Sequence, residues 1–372
     1  MKRFALRVLL FCAPVIVLYA YPMLRYARGE CFGDLSQLGN YFFDVSYREV
    51  MAVRPDFSRH VVLTEDITEH VCDSDILVIG DSFTQIGYAN FMEYLQALCP
   101  DCTVYGIHTW MQNKEWQYAH RSLEGSGRLL HFPGKTDVVM YLLHYAKHLP
   151  STIVIESSEF FLMETVVRTD FSVCEDSLPD YDGAPLLSSE DKYDSYDRKL
   201  VRPNALRSIT NGSAFGFAQN WIKHRSGITS CGVDRVPLSK PVFSCVDNAS
   251  TLYYMPYPRV WPQDDIQIMR SMMCQIVDEG AKRGVNIIFM VVPQKEYLYG
   301  EYITTEWAQG TRLSECLMDR KDNPHYLICY PILHDMVQRG EKDVFLVNDT
   351  HWSYKGAREC AMQLKKKIDT LR

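Results

Sequence analysis

Short apolar runs alternate with amphipathic stretches along most of the chain. Ile76–Ile79 has the length of a buried strand and ends in Gly80-Asp81-Ser82-Phe83. Behind it Phe91, Tyr94, Leu95 and Leu98 recur at helical spacing. Thr103–Ile107 predicts a second strand, Asp137–His148 a helix stopped by Pro150, and Thr152–Ile155 a third strand. Asp264–Arg283, opened by Trp261-Pro262 and closed by Gly284, predicts a long helix. Val285–Val292 and Val344–Val347 read as strands and Ser353–Leu371 as the last helix. Strands that alternate with helices predict an α/β fold, a mostly parallel sheet covered on both faces. Two stretches break the rhythm. Residues 30–70 carry no readable period. Residues 165–260, rich in Tyr, Ser, Asp, Asn and Pro, read as a long insertion over the sheet, either a cap or an elaborated loop region.

The N-terminus changes the picture. Lys2, Arg3 and Arg7 precede Val8–Leu24, a stretch without a charge at the short end for a membrane span. A cleaved signal peptide and an uncleaved signal-anchor compete. Leu18-Tyr19-Ala20 is a poor small-residue cleavage site, so the anchor is expected, with residues 1–28 as the membrane segment and 29–372 as the exported domain. The 372 residues are 47% apolar, enough for a substantial core, and the net charge of −7 lends no support to a nucleic-acid partner. Twelve cysteines fit an oxidising compartment. Cys99 and Cys102 read as a structural disulfide or two separate thiols, and Cys231 with Cys245 as a loop staple.

Ligand sites of open α/β sheets lie beyond the carboxyl ends of the strands. Ser82 falls there, at the start of a helix, where it either caps the helix or serves as a nucleophile. A nucleophilic serine needs a base, and the base needs an orienting carboxylate. Eleven histidines make one of them no evidence. His351, however, lies in Val347-Asn348-Asp349-Thr350-His351-Trp352 directly after the last expected strand. Asp349, two residues earlier in an extended segment, projects to the same side and can accept from its Nδ1. Trp352 is expected to wall the site and Ser353 to cap the final helix.

Gly-Asp-Ser-Phe near the start and Asp-Thr-His-Trp near the end together resemble the SGNH hydrolase superfamily. The Asp-x-His-Trp form is similar to its alginate O-acetyltransferase-like branch. Val292-Pro293-Gln294-Lys295-Glu296-Tyr297-Leu298-Tyr299 is similar to a Val-Pro-x-Lys-x-x-x-Tyr stretch of that branch, and the N-terminal apolar segment also fits. The resemblance covers residues 75–160 and 260–370. It implies an SGNH, flavodoxin-like three-layer sandwich in which Ser82 is the nucleophile, His351 the base and Asp349 the orienting carboxylate, with no metal and no bound cofactor required. It further implies an oxyanion hole of the Ser82 amide and Gly106. The Asn that completes it in the superfamily is missing, since Ile155-Glu156-Ser157-Ser158-Glu159 stands in its place, and Ser158 is the substitute candidate. Lys295 is expected either at an anionic substrate or at the surface. The function implied is O-acyl transfer to an envelope or secreted polysaccharide, with a multi-span membrane acyltransferase of the MBOAT type as the donor partner. An acetyl esterase with the same residues and a non-catalytic polysaccharide-binding scaffold are the alternatives.

Overall fold

The computed structural model describes residues 2–51, 61–64, 72–85, 91–108, 116–118, 130–132, 135–167, 212–228, 232–256 and 258–372. Six strands form the main sheet: β1 (Val62–Thr64), β2 (Ile76–Gly80), β3 (Val104–His108), β4 (Thr152–Ser158), β5 (Asn286–Val292) and β6 (Tyr326–Ile328). Their order is β1-β3-β2-β4-β5-β6 and every pairing is parallel. The chain therefore crosses outward in both directions from β2, and the carboxyl ends of β2 and β4 flank the crevice where ligands collect in doubly wound sheets.

The α/β expectation holds, down to the alternation of side chains along the strands. Ile76 and Val78 of β2 face one core, Leu77 and Ile79 the other. The first core is closed by α4 (Phe91–Leu98), α9 (Cys329–Gln338) and α10 (Tyr354–Leu371). The second is closed by α5 (Lys135–Tyr145), α6 (Glu159–Val167) and α8 (Gln263–Lys282). Ser353 caps α10 as expected, its side chain accepting from the Lys355 N–H.

One expected strand is not one. Val344–Val347 is fully buried but joins no sheet, and β6 is the edge. Its backbone is satisfied otherwise: the Phe345 N–H donates to the Tyr299 hydroxyl (3.0 Å), the Val347 N–H to the Tyr47 hydroxyl (3.1 Å), and the Leu346 N–H to the His351 carbonyl (3.1 Å). Four apolar residues in a row signal burial, and burial without pairing gives the same signal. Strand β6 and helices α6 and α9 were not expected from the pattern.

At the N-terminus α1 (Lys2–Ala27) includes an apolar, mostly exposed stretch, Leu10–Ala27, long enough to cross a membrane. A short helix, α2 (Asp34–Gly39), follows. Of the expected insertion, residues 168–211, 229–231 and 257 lie outside the described residues. The remainder includes α7 (Ser213–Arg225), which packs along α1, and an antiparallel hairpin of Asp234–Pro237 with Thr251–Tyr254. Tyr253 and Tyr254 are buried in the core. Cys99 and Cys102 are separate buried thiols, as are Cys31, Cys329 and Cys360. Cys31 donates to the Ser36 carbonyl (3.2 Å), and Cys102 accepts from Arg372 (2.8 Å). The expected Cys231–Cys245 staple involves Cys231, outside the described residues, and Cys245 is a free thiol.

Candidate active site

Strand β2 ends at Gly80, and Asp81 leads into a short helical turn, α3 (Ser82–Gln85). This turn places Ser82 at the carboxyl edge of the sheet, partly exposed. From the far end of the chain the Asp349-Thr350-His351 turn arrives at the same point. His351 Nε2 is 2.7 Å from Ser82 Oγ. On the other side of the ring His351 Nδ1 is 2.5 Å from Asp349 Oδ1, which also accepts the His351 backbone N–H at 3.1 Å. With its Nδ1 proton held by Asp349, the ring presents the unprotonated Nε2 to the serine hydroxyl. Burial disfavours charge on His351, but Asp349, Asp34 and Asp81 outweigh it and raise its pKa above the usual histidine value. The arrangement suits a base that accepts a proton from Ser82 and holds it.

The loop that carries His351 is supported from below. Lys295, 3% exposed, donates from Nζ to the carbonyls of Val347 (2.9 Å) and Asp349 (3.1 Å). Burial lowers its pKa to about 7, against the pull of Asp34, Asp349 and Glu296. The expectation of a substrate-facing or surface lysine is thereby corrected: its ammonium satisfies backbone carbonyls of an irregular segment. Trp352 is likewise no wall facing substrate. It is fully buried, its Nε1–H donates to the Phe83 carbonyl (3.1 Å), and its ring stacks on Phe91 and meets Phe83 edge-on. The link from Trp352 to Phe83 ties the histidine loop to the serine turn.

A second set of charges lies beneath Ser82. Lys135, 1% exposed, reaches from the start of α5 to Asp81 Oδ2 (3.1 Å) and also donates to the Glu156 carbonyl. Asp81 accepts from the Phe83 N–H (3.1 Å) and the Ser158 N–H (3.2 Å), while its own N–H donates to Glu156 Oε2 (2.8 Å). Burial opposes the Asp81 charge, but Lys135 and the N–H donors win and hold its pKa low. Glu156 goes the other way, raised well above the carboxylate range by burial and by Asp81. The site thus holds one ion pair, Lys135 with Asp81, beside a carboxyl group whose neutral form burial favours.

These bonds bear on the two oxyanion candidates. The Ser158 N–H is committed to Asp81. Gly106 pairs inside the sheet with Val78, which lies four residues before Ser82, and sits two residues short of the end of β3 at His108, so its expected place beside Ser82 is corrected. Sequence reasoning passed over Lys135 and Asp34. Lys135 carried no signal beyond its place at a helix start, and Asp34 lies in the stretch with no readable period. Asp34, Asp349 and His351 bring one donor atom each within 4.8 Å of one another. His351 Nδ1 is committed to Asp349, so we read no cation site there.

Ser82, His351 and Asp349 are thus linked by hydrogen bonds at the carboxyl edge of a parallel, doubly wound α/β sheet. Residues 258–372, which carry β5, Lys295 and the His351 loop, match the family model of the SGNH hydrolase-like domain of the acetyltransferase AlgX. The match supports an SGNH, alginate O-acetyltransferase-like family and, with it, the hydrolase or acetyltransferase class of enzyme. Searches of curated proteins and of solved structures returned no match.

Proposed function

We propose that the chain is an exported, membrane-anchored O-acyltransferase that moves an acyl group, acetyl by the likeness to AlgX, onto a hydroxyl of an envelope or secreted polysaccharide. The observation that carries the reading is the unbroken hydrogen-bond chain Ser82 Oγ, His351, Asp349 at the sheet edge. In the first half-reaction Ser82 Oγ bonds to the acyl carbonyl carbon while His351 Nε2 takes its proton. The carbonyl oxygen becomes an oxyanion, for which the Ser82 N–H at the start of α3 is the nearest backbone candidate. The bond to the donor's leaving group then breaks, and His351 returns the proton to that group, which leaves an acyl-serine. In the second half-reaction the sugar hydroxyl attacks the acyl-serine, His351 takes the hydroxyl proton and gives it back to Ser82. Asp349 keeps the ring oriented and stabilises its charged form throughout. Leu10–Ala27 serves as the anchor, and the donor is a multi-span acyltransferase that brings the acyl group across the membrane.

The test is turnover of an aryl acetate by the full chain in detergent, with and without an acetyl-free oligosaccharide. We expect acetyl on Ser82 by mass spectrometry and acetylated oligosaccharide as product. Ser82→Ala is expected to lower turnover by about a thousandfold or more. Undiminished turnover in Ser82→Ala overturns the mechanism. Free acetate as the sole product, at any acceptor concentration, replaces transfer with esterase chemistry at the same residues.

A further inference from the structure

The segment that follows α1 is stitched to the histidine loop. Asn348 Nδ2 donates to the Phe32 carbonyl, the Ser36 N–H donates to the Asn348 carbonyl (3.3 Å), and the Asp34 N–H donates to Asp349 Oδ2 (3.2 Å). Gly33 has φ +85°, and a Cβ there would lie 2.4 Å from the Asn348 carbonyl oxygen. Only glycine allows both the conformation and the approach. The backbone of residues 32–36 is therefore seated against residues 348–349 as closely as two chains can be.

Asp34 adds its side chain to this seat. Its Oδ1 accepts the Thr350 N–H at 2.8 Å, and its Oδ2 accepts the Thr350 hydroxyl. Thr350 is the residue between Asp349 and His351, and its Oγ1 lies 3.2 Å from His351 Nδ1. Asp34 Oδ2 itself is 3.9 Å from that nitrogen. Both Asp349 oxygens are taken, Oδ1 by His351 and Oδ2 by the Asp34 amide. Asp34 thus touches each of the three residues of the turn.

We propose that Asp34 is a positioning residue of the acyl-transfer site: it pins Thr350, and through it the Asp349–His351 pair, and it supplies a second negative charge beside the imidazole that Ser82 protonates. The inference rests on the Ser82–His351–Asp349 reading. It assigns a role in the chemistry to a segment that the family match, residues 258–372, does not include. The charge has a direct consequence. The groups that face His351 are Asp349 and Asp34 on the Nδ1 side, Asp81 behind Ser82, and Lys295 under the Val347 and Asp349 carbonyls. A carboxylate near the ring favours the imidazolium. Its removal lowers the pKa of His351 and keeps the ring in its basic form to lower pH. Burial and the nearby Asp349 raise Asp34 itself, to about 6, so at neutral pH it is an anion.

The test is the pH dependence of Ser82 acylation by a fluorophosphonate probe, read by intact mass on the full chain in detergent. It needs no acceptor and no partner. In Asp34→Asn we expect a labelling rate about tenfold lower on the plateau and an acid limb moved about one pH unit toward lower pH. Thr350→Val, which removes the hydroxyl and keeps the charge, is expected to slow labelling with the acid limb unmoved. Asp335→Asn, a surface carboxylate 62% exposed, is expected to change neither. A thermal transition of Asp34→Asn close to that of the parent establishes that the variant is folded. If that transition is lost, Asp34→Glu, which keeps the charge, carries the test through recovery of the parent acid limb. No labelling of Ser82 in the parent chain overturns the catalytic reading. Labelled parent with an unmoved acid limb in Asp34→Asn overturns the role of Asp34 alone.

Discussion

Gly80 shows how little room separates Ser82 from the charges beneath it. A Cβ at this position would lie 2.4 Å from Thr84 Oγ1 and 2.8 Å from Glu156 Oε2. Thr84 is held by its hydroxyl to the Asp81 carbonyl (2.9 Å), and Glu156 by the Asp81 N–H, so neither can yield without moving the turn that carries Ser82. The glycine of Gly-Asp-Ser is required here for close approach. Gly80→Ala is expected to destabilise the protein by roughly 1–3 kcal/mol, the usual range for overpacking. It is also expected to lower aryl acetate turnover by more than tenfold, since the hydroxyl moves off the His351 axis. Urea unfolding and initial rates check the two parts separately. A variant with parent stability and parent rate would mean that the turn relaxes freely.

At the scale of the element, the Lys135–Asp81–Glu156 network joins α5, the β2 end and β4 into one mount for the Ser82 turn. A buried pair broken on one side leaves a charge without a counter-charge, at a typical cost of about 3–5 kcal/mol. Lys135→Met is expected to fall in that range by urea unfolding. Burial favours the neutral form of Glu156; Glu156→Gln fixes a neutral side chain and keeps an acceptor for the Asp81 N–H, so a change within about 1 kcal/mol is expected, with turnover retained. A Glu156→Gln protein as unstable as Lys135→Met would show that Glu156 carries its charge. This mount marks the limit of what the sequence disclosed. Strands β2 to β5, the two cores and the approach of Ser82, His351 and Asp349 were readable, because burial leaves an apolar period and the chemistry requires those residue types. The mount was not. A lysine at the start of a helix and a glutamate in a strand look the same whether they meet water or each other. Val344–Val347 failed for a related reason: two tyrosine hydroxyls replace a neighbouring strand, and no local pattern encodes a partner so distant in the chain. Gly106 and Ser158 were placed by analogy to an oxyanion hole whose asparagine this chain replaces, and the geometry followed the replacement.

Over the whole molecule, α1 and the site are close. Six residues lie between Ala27 and Asp34, a reach of at most ~24 Å over seven steps. The last third of α1 is also not free to sit in lipid alone. Tyr19 stacks on Phe215 of α7 with centroids 5.3 Å apart, Tyr26 packs on Phe217 at 4.8 Å, and Tyr21 on Trp221 at 5.8 Å. Helix α7 carries Lys223, His224 and Arg225 in its last turn, groups that do not enter hydrocarbon alongside α1. The candidate span Leu10–Ala27 is about 27 Å long as a helix, just under the ~30 Å of a bilayer core that a span crosses with its ends at the interface. If Leu10–Ala27 serves as the proposed anchor, the Phe215 end of α7 is expected in the interfacial zone, where aromatic rings are favoured and basic groups meet lipid headgroups. Phe215 is 51% exposed, as this placement requires. We expect benzoylphenylalanine at position 215, in the full chain in phosphatidylglycerol-containing vesicles, to crosslink to lipid on irradiation. The same residue at position 268, where Ile268 is 47% exposed on α8, is expected to give none. Lipid adducts at 215 alone put the Ser82 site within reach of the bilayer surface, where a membrane-bound donor can pass its acyl group directly. Adducts at neither position would mean that α7 stands clear of the membrane and that the donor must reach further.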